Sequence, residues 1–307
     1  MDNLKIFVIK YEKNVCLGGF GDRIVGLIAV KLISKILKGK FYILWEKENI
    51  TKYLNYKKYD YKLLEHTEKD IKVYHLIDKP LKLKEYLINS TKLFPNRVNE
   101  FILNQEISQY IYKNILYDDK NYLLDIFSEY KKLYTDILIP NIIFNKKVEN
   151  LVSNKTNIVG IQIRCGDFYM ITNPGENYQN NITNFIKILS NIKNKCEEKY
   201  KNNYNIFFTT DNINLLQDVY NMFDKTQIIY NNDLIQHLDR NSIDDDISKT
   251  FIDNYILSQK TEMLFIDPNS NFGRIAALSS IHNNIYNTYD IKVVDKKKLL
   301  SKAELLF

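Results

Sequence analysis

Asn157-Ile-Val-Gly-Ile-Gln-Ile-Arg-Cys-Gly-Asp-Phe-Tyr169 begins as a buried strand and breaks off into charge. Ile158, Val159, Ile161 and Ile163 form a short β-branched run bounded by polar residues, the pattern of a strand covered on both faces. Arg164, Gly166 and Asp167 follow directly, placing a fixed cation, a flexible backbone unit and a carboxylate at the strand's carboxyl end. In open α/β sheets that edge is where ligands sit. A plain Arg–Asp ion pair closing a turn would read the same way.

Composition sharpens the choice. Of 43 Lys plus Arg, five are Arg: Arg23, Arg97, Arg164, Arg240 and Arg274. Lysine serves wherever a bare positive charge suffices, so an arginine points to planar, bidentate contact with phosphate or carboxylate. Three of the five stand beside glycine-containing turns in apolar stretches.

Outward from this stretch, strand and helix patterns alternate. Leu4 to Ile9 reads as a strand, followed by the densest glycine cluster, Leu17-Gly-Gly-Phe-Gly-Asp-Arg23. Ile24, Leu27, Ile28, Leu32 and Ile36 then repeat at helical spacing, Gly39 stops the helix, and Phe41 to Trp45 supplies another strand. The helix start offers backbone N–H groups to an anion. From Leu81 to Leu138 the periodicity is helical, with Phe101, Ile102, Ile107, Ile111 and Ile115 on one expected helical stripe. Past a boundary placed near residue 150, strands at Ile206–Thr209, Thr226–Tyr230 and Met263–Ile266 alternate with helices. Asp267-Pro-Asn-Ser270 leads into the last of these helices, with Ser270 as its N-cap. The expected fold is α/β: two Rossmann-like domains, residues 1–150 and 151–307, facing a central cleft, with a helical insertion in the first.

The net charge is +6, yet lysine is scattered and no dense basic block marks a nucleic-acid surface. Cys16, Cys165 and Cys196 have no metal-like spacing, and no metal site is expected. The amino terminus is too short and charged for a signal peptide, and no run approaches the roughly 18 apolar residues of a membrane span. A reducing, cytoplasmic setting is the expectation. Gly19-x-Gly21 with Glu46 after the second strand has the flavour of a dinucleotide fold, but Ile24 occupies the third glycine position and the P-loop ending is missing.

Four motifs occur in order: Gly-Gly-Phe-Gly-Asp-Arg (18–23), Ile-Gln-Ile-Arg-Cys-Gly-Asp (161–167), Phe-Phe-Thr-Thr-Asp-Asn (207–212) and Ser-Asn-Phe-Gly-Arg-Ile-Ala (270–276). Together they resemble the fucosyltransferase superfamily: the α1,2-, α1,6- and protein O-fucosyltransferases and their bacterial relatives. The resemblance implies a GT-B fold and an inverting, metal-independent transfer from a GDP-sugar, usually GDP-fucose, to a glycan or other hydroxyl acceptor. It implies that Arg164 binds the donor diphosphate. Ser270, with the amides of Asn271 and Phe272 and with Arg274 nearby, would hold the β-phosphate, and Asp211 would lie at the guanine end. Gly18, Gly19, Gly21 and Arg23 would face the donor across the cleft. Gln162 stands where the family has histidine, and Asp22 where it has asparagine. Asp167 and Asp22, with Glu176 after them, are the candidates for general base. A nucleotide- or carbohydrate-binding protein without catalysis, and an NAD-dependent oxidoreductase, are the alternatives.

Overall fold

A computed structural model describes residues 5–12, 18–46, 50–58, 71–75, 98–102, 120–164, 176–233 and 248–300. The general-base candidate Asp167 lies outside the described residues. So do Ile107, Ile111 and Ile115 of the expected helical stripe. Contacts divide the chain into two units, Met1–Ile143 with Gln236–Ser248 and Leu300–Phe307, and Phe144–Ile235 with Lys249–Leu299.

The first unit opens with β1 (Ile6–Tyr11), α1 (Phe20–Ile36) and β2 (Lys40–Trp45). It continues through β3 (Leu54–Asn55), β4 (Ile71–His75), β5 (Val98–Ile102), α2 (Lys120–Lys131) and β6 (Ile139–Pro140). One sheet runs β2-β1-β5-β4 with every pairing parallel, and β3 pairs antiparallel with β6. The apolar stripe of α1 (Ile24, Leu27, Ile28) and the centre of β1 (Phe7, Val8, Ile9) are fully buried. Two-face coverage of a parallel sheet explains why β1 runs apolar without alternation from Ile6 to Ile9. Lys31 on α1 meets the buried Glu129 on α2 at 2.9 Å, joining the two helices.

β5 corrects the helical reading of Phe101 and Ile102. All five residues of β5 are buried, Asn99 and Glu100 included, and Phe101 stacks on Phe7 of β1 at 6.2 Å. A strand buried on both faces has no period of two, so its apolar residues merge into whatever spacing follows them.

The second unit holds α3 (Ile142–Val152, most of its length), β7 (Ile158–Ile163), α4 (Glu176–Tyr200), β8 (Asn205–Thr210), α5 (Leu215–Met222) and β9 (Ile228–Ile229). α6 (Ser248–Gln259), β10 (Met263–Ile266), α7 (Asn271–Ser279), β11 (Ile285–Asn287) and α8 (Lys296–Leu300) follow. The five-stranded sheet runs β11-β10-β7-β8-β9, again wholly parallel. Its core gathers Val159, Ile161, Phe208, Leu189, Val219 and Phe265 among others. Chain order steps outward from β7 to β8 and β9, then crosses back to β10 and β11. The connections leaving β7 and β10 therefore diverge to opposite sides, which makes the carboxyl ends of these neighbours the topological switch point, where ligands bind in open α/β sheets.

Candidate active site

Three of the four motifs end on that edge of the second unit. β7 delivers Gln162 and Arg164, β8 delivers Thr210 and Asp211, and β10 delivers Asp267 and the turn to Ser270. Arg164 lies one residue past its strand, with its side chain 43% exposed and Nε 3.8 Å from Asp211 Oδ2, itself 36% exposed. An exposed pair at that separation is worth about 0–1 kcal/mol, so it aligns the guanidinium without committing it. The observed partner of Arg164 thus comes from the next strand.

The turn after β10 is tightly specified. Ser270 caps α7, its Oγ accepting from the Gly273 N–H at 3.4 Å while its carbonyl accepts from the Arg274 N–H at 2.9 Å. Asp267 fixes the approach: Oδ1 accepts from Asn269 N–H at 2.8 Å and Oδ2 from the Tyr289 hydroxyl at 3.0 Å. Asn254 on α6 donates to the Phe272 carbonyl at 3.0 Å, and Asn271 and Phe272 open the helix. Gln162 is buried beside them, donating from Nε2 to Ser270 Oγ at 3.2 Å and accepting the Asp267 N–H at 3.0 Å. A Cβ at Gly273 would run into Gln162 Oε1 and come within 3.1 Å of the Asp267 carbonyl, so a side chain there would have to displace the Gln162 amide. Arg274, expected at the donor, turns into the fold instead: Nε donates to the Leu299 carbonyl at 2.8 Å and Nη1 to Asn271 Oδ1 at 2.8 Å.

Two strands away lies a charge cluster that sequence patterns did not single out. Asp253 accepts from Thr209 Oγ1 at 3.1 Å and Asn231 Nδ2 at 2.9 Å, and pairs with Lys249 at 3.1 Å. The Lys249 ammonium also donates to the Asn231 carbonyl and lies 4.6 Å over the Tyr230 ring. Burial pushes the Asp253 carboxyl up from its ordinary range, and Lys249 leads the groups that pull it back. The cluster ties α6 to the carboxyl ends of β8 and β9, beneath the edge that carries Asp211. Its signal was Lys249-x-x-x-Asp253 within a helix otherwise rich in Phe251, Ile252, Ile256 and Leu257.

The glycine loop of the first unit has a different character. Gly18 adopts φ +83°, and the Asp22 carboxylate accepts from the Gly19 N–H at 2.9 Å, closing the first turn of α1. Asp22, a candidate base and acceptor-side group, is therefore a helix cap. Arg23 is 1% exposed: Nε donates to the Gly18 carbonyl at 3.2 Å, and the guanidinium sits 5.6 Å from the Trp45 ring and 6.0 Å from Tyr11. It holds the loop from beneath. Gly21 is buried in the same turn.

Compared by sequence, no family model and no curated protein matches the chain. Compared by structure, it aligns over almost its whole length with fucosyltransferase NodZ from Bradyrhizobium: 12% identity, 95% of this chain, 99% of that one, TM-score 0.58. The chain has the GT-B fold of the fucosyltransferases. A mutant of Arabidopsis thaliana FUT1 in complex with GDP aligns at 14% identity over 92% of this chain and 70% of its own, TM-score 0.61. POFUT1 in complex with GDP-fucose aligns at 9% identity over 93% and 98%, TM-score 0.53. On this fucosyltransferase fold, the order and parallel pairing of the second unit's strands put Arg164, Asp211 and Ser270 along one edge.

Proposed function

We propose that the chain is an inverting, metal-independent glycosyltransferase, moving fucose from GDP-fucose to a hydroxyl of a glycan or other acceptor. The observation that carries this reading is that Arg164, Asp211 and the Ser270 turn stand along one carboxyl edge of the second unit's sheet, at the ends of β7, β8 and β10. Solved structures of the same fold hold GDP or GDP-fucose. As the acceptor oxygen bonds to the anomeric carbon, the bond from that carbon to the β-phosphate oxygen breaks and charge collects on the departing GDP. A guanidinium and a helix start aimed at that charge stabilise the transition state more than the ground state. The acceptor's proton passes to a carboxylate. Asp167 and Asp22 are the candidates, with Glu176 after them; Asp22 already accepts from the Gly19 amide through Oδ2, and a carboxylate that accepts one such bond keeps further lone pairs for a proton. Asp211, at the end of β8, is assigned to the guanine end by the motif resemblance alone.

Incubation with GDP-fucose, GDP-mannose and UDP-sugars in the presence of EDTA, with a glycan panel as acceptor, tests this. Release of GDP with fucose appearing on a glycan is the expected result. Release from UDP-sugars alone, or release that EDTA abolishes, would overturn it. A second reading, nucleotide binding without transfer, draws on Gln162, whose amide is used at both ends inside the fold. GDP binding with no turnover on any donor would select it.

A further inference from the structure

We propose that Gln162 is a positioning residue, which turns the hydroxyl proton of Ser270 toward the donor's phosphate without touching the donor itself. The inference rests on the diphosphate reading above. The backbone N–H of Asp267 meets one end of the Gln162 amide at 3.0 Å. An N–H can only donate, so that end is the carbonyl oxygen, and the NH₂ end necessarily faces Ser270 Oγ, 3.2 Å away. The Gly273 N–H reaches the same Oγ at 3.4 Å. Both neighbours are donors only, so both lone pairs of the hydroxyl accept and its proton must be given elsewhere.

Among the described residues no acceptor takes that proton, although Ser270 is 1% exposed. An anionic phosphate oxygen presented to that proton takes it in a charge-assisted bond. Gln162 therefore fixes the polarity of Ser270 before the ligand arrives. The arrangement is rigid. Gln162 lies on the face of β7 that Thr209 shares in register, with Asp253 of α6 bonded to that threonine. Asn254 of the same helix holds the Phe272 carbonyl in the first turn of α7.

Calorimetric titration of GDP into the full chain and into Ser270→Ala, Gln162→Glu and the double variant tests the mechanism. An ionised carboxylate at 162 keeps the bond from the Asp267 amide but cannot donate, so the Ser270 hydroxyl turns inward to it. Ser270→Ala is expected to weaken GDP about tenfold. Gln162→Glu should weaken it at least as much, and the double variant should bind no worse than Gln162→Glu alone. Losses that add, or unchanged affinity in Gln162→Glu, would overturn the role of Gln162 and leave the diphosphate reading standing. A parent chain that binds no GDP would remove both. If Gln162→Glu fails to fold, as judged by its unfolding midpoint, Gln162→Met replaces it. That variant removes the donor without offering an inward acceptor, so the hydroxyl loses its fixed direction: GDP should weaken by less than in Ser270→Ala, and unchanged affinity would overturn the role of Gln162.

Discussion

Arg23 and Arg164 look alike in the sequence and have opposite fates. Each is one of few arginines in a lysine-rich chain, and each stands beside a glycine turn at the end of an apolar stretch. Arg23 is sealed between Tyr11 and Trp45 with its Nε on the Gly18 carbonyl, whereas Arg164 leaves its strand half exposed beside Asp211. Scarcity of arginine therefore marks positions where a planar cation is needed: a loop meets that need in one unit, and in the other we propose that the donor phosphate does. What separates the two is depth: Arg23 lies within the first turn of a buried helix, and Arg164 one residue beyond a sheet.

The comparison can be broken most violently from inside. Asp253→Ala leaves the Lys249 charge buried, and chemical denaturation is expected to show a loss of about 3–5 kcal/mol. A loss near zero would mean that the cluster is wet. Arg23→Ala removes a fully buried side chain and a desolvated cation–π contact, and should cost about 3 kcal/mol by the same measurement. Arg164→Lys is the converse. Stability stays within about 0.5 kcal/mol, as for an exposed position, while GDP affinity falls by about 1.5–3 kcal/mol as the bidentate fork is lost. Asp22→Asn should be nearly silent, within a few tenths of a kcal/mol in the urea midpoint, because an amide oxygen can still accept from Gly19. A large loss of transfer activity in that variant with stability intact would return Asp22 to the chemistry.

Much of the second unit was legible in the sequence because its signals are local. A short apolar run, a Pro-containing turn, a serine cap and a helical stripe give β10 and α7 in order, and Ser270 caps α7 as expected. β5 was not legible, since Asn99 and Glu100 sit buried in a central strand and no local rule separates that from a helix. The roles of Arg23, Arg274 and Gln162 were hidden for a different reason. Their partners come from remote segments: Trp45, the Leu299 carbonyl, and for Gln162 two groups more than a hundred residues along the chain. Motif spacing identifies which residues are special; only the folded contacts say whether a special residue serves the turn or the ligand.

The central claim is that the carboxyl edge of the second unit grips a nucleotide diphosphate while the glycine loop's arginine is internal to its own fold. GDP titrated into the ¹⁵N-arginine-labelled chain tests it most directly, through the separate Nε–H signals of Arg164 and Arg23. The Arg164 signal is expected to move in step with GDP occupancy while that of Arg23 stays in place. A moving Arg23 signal beside a silent Arg164 would contradict it.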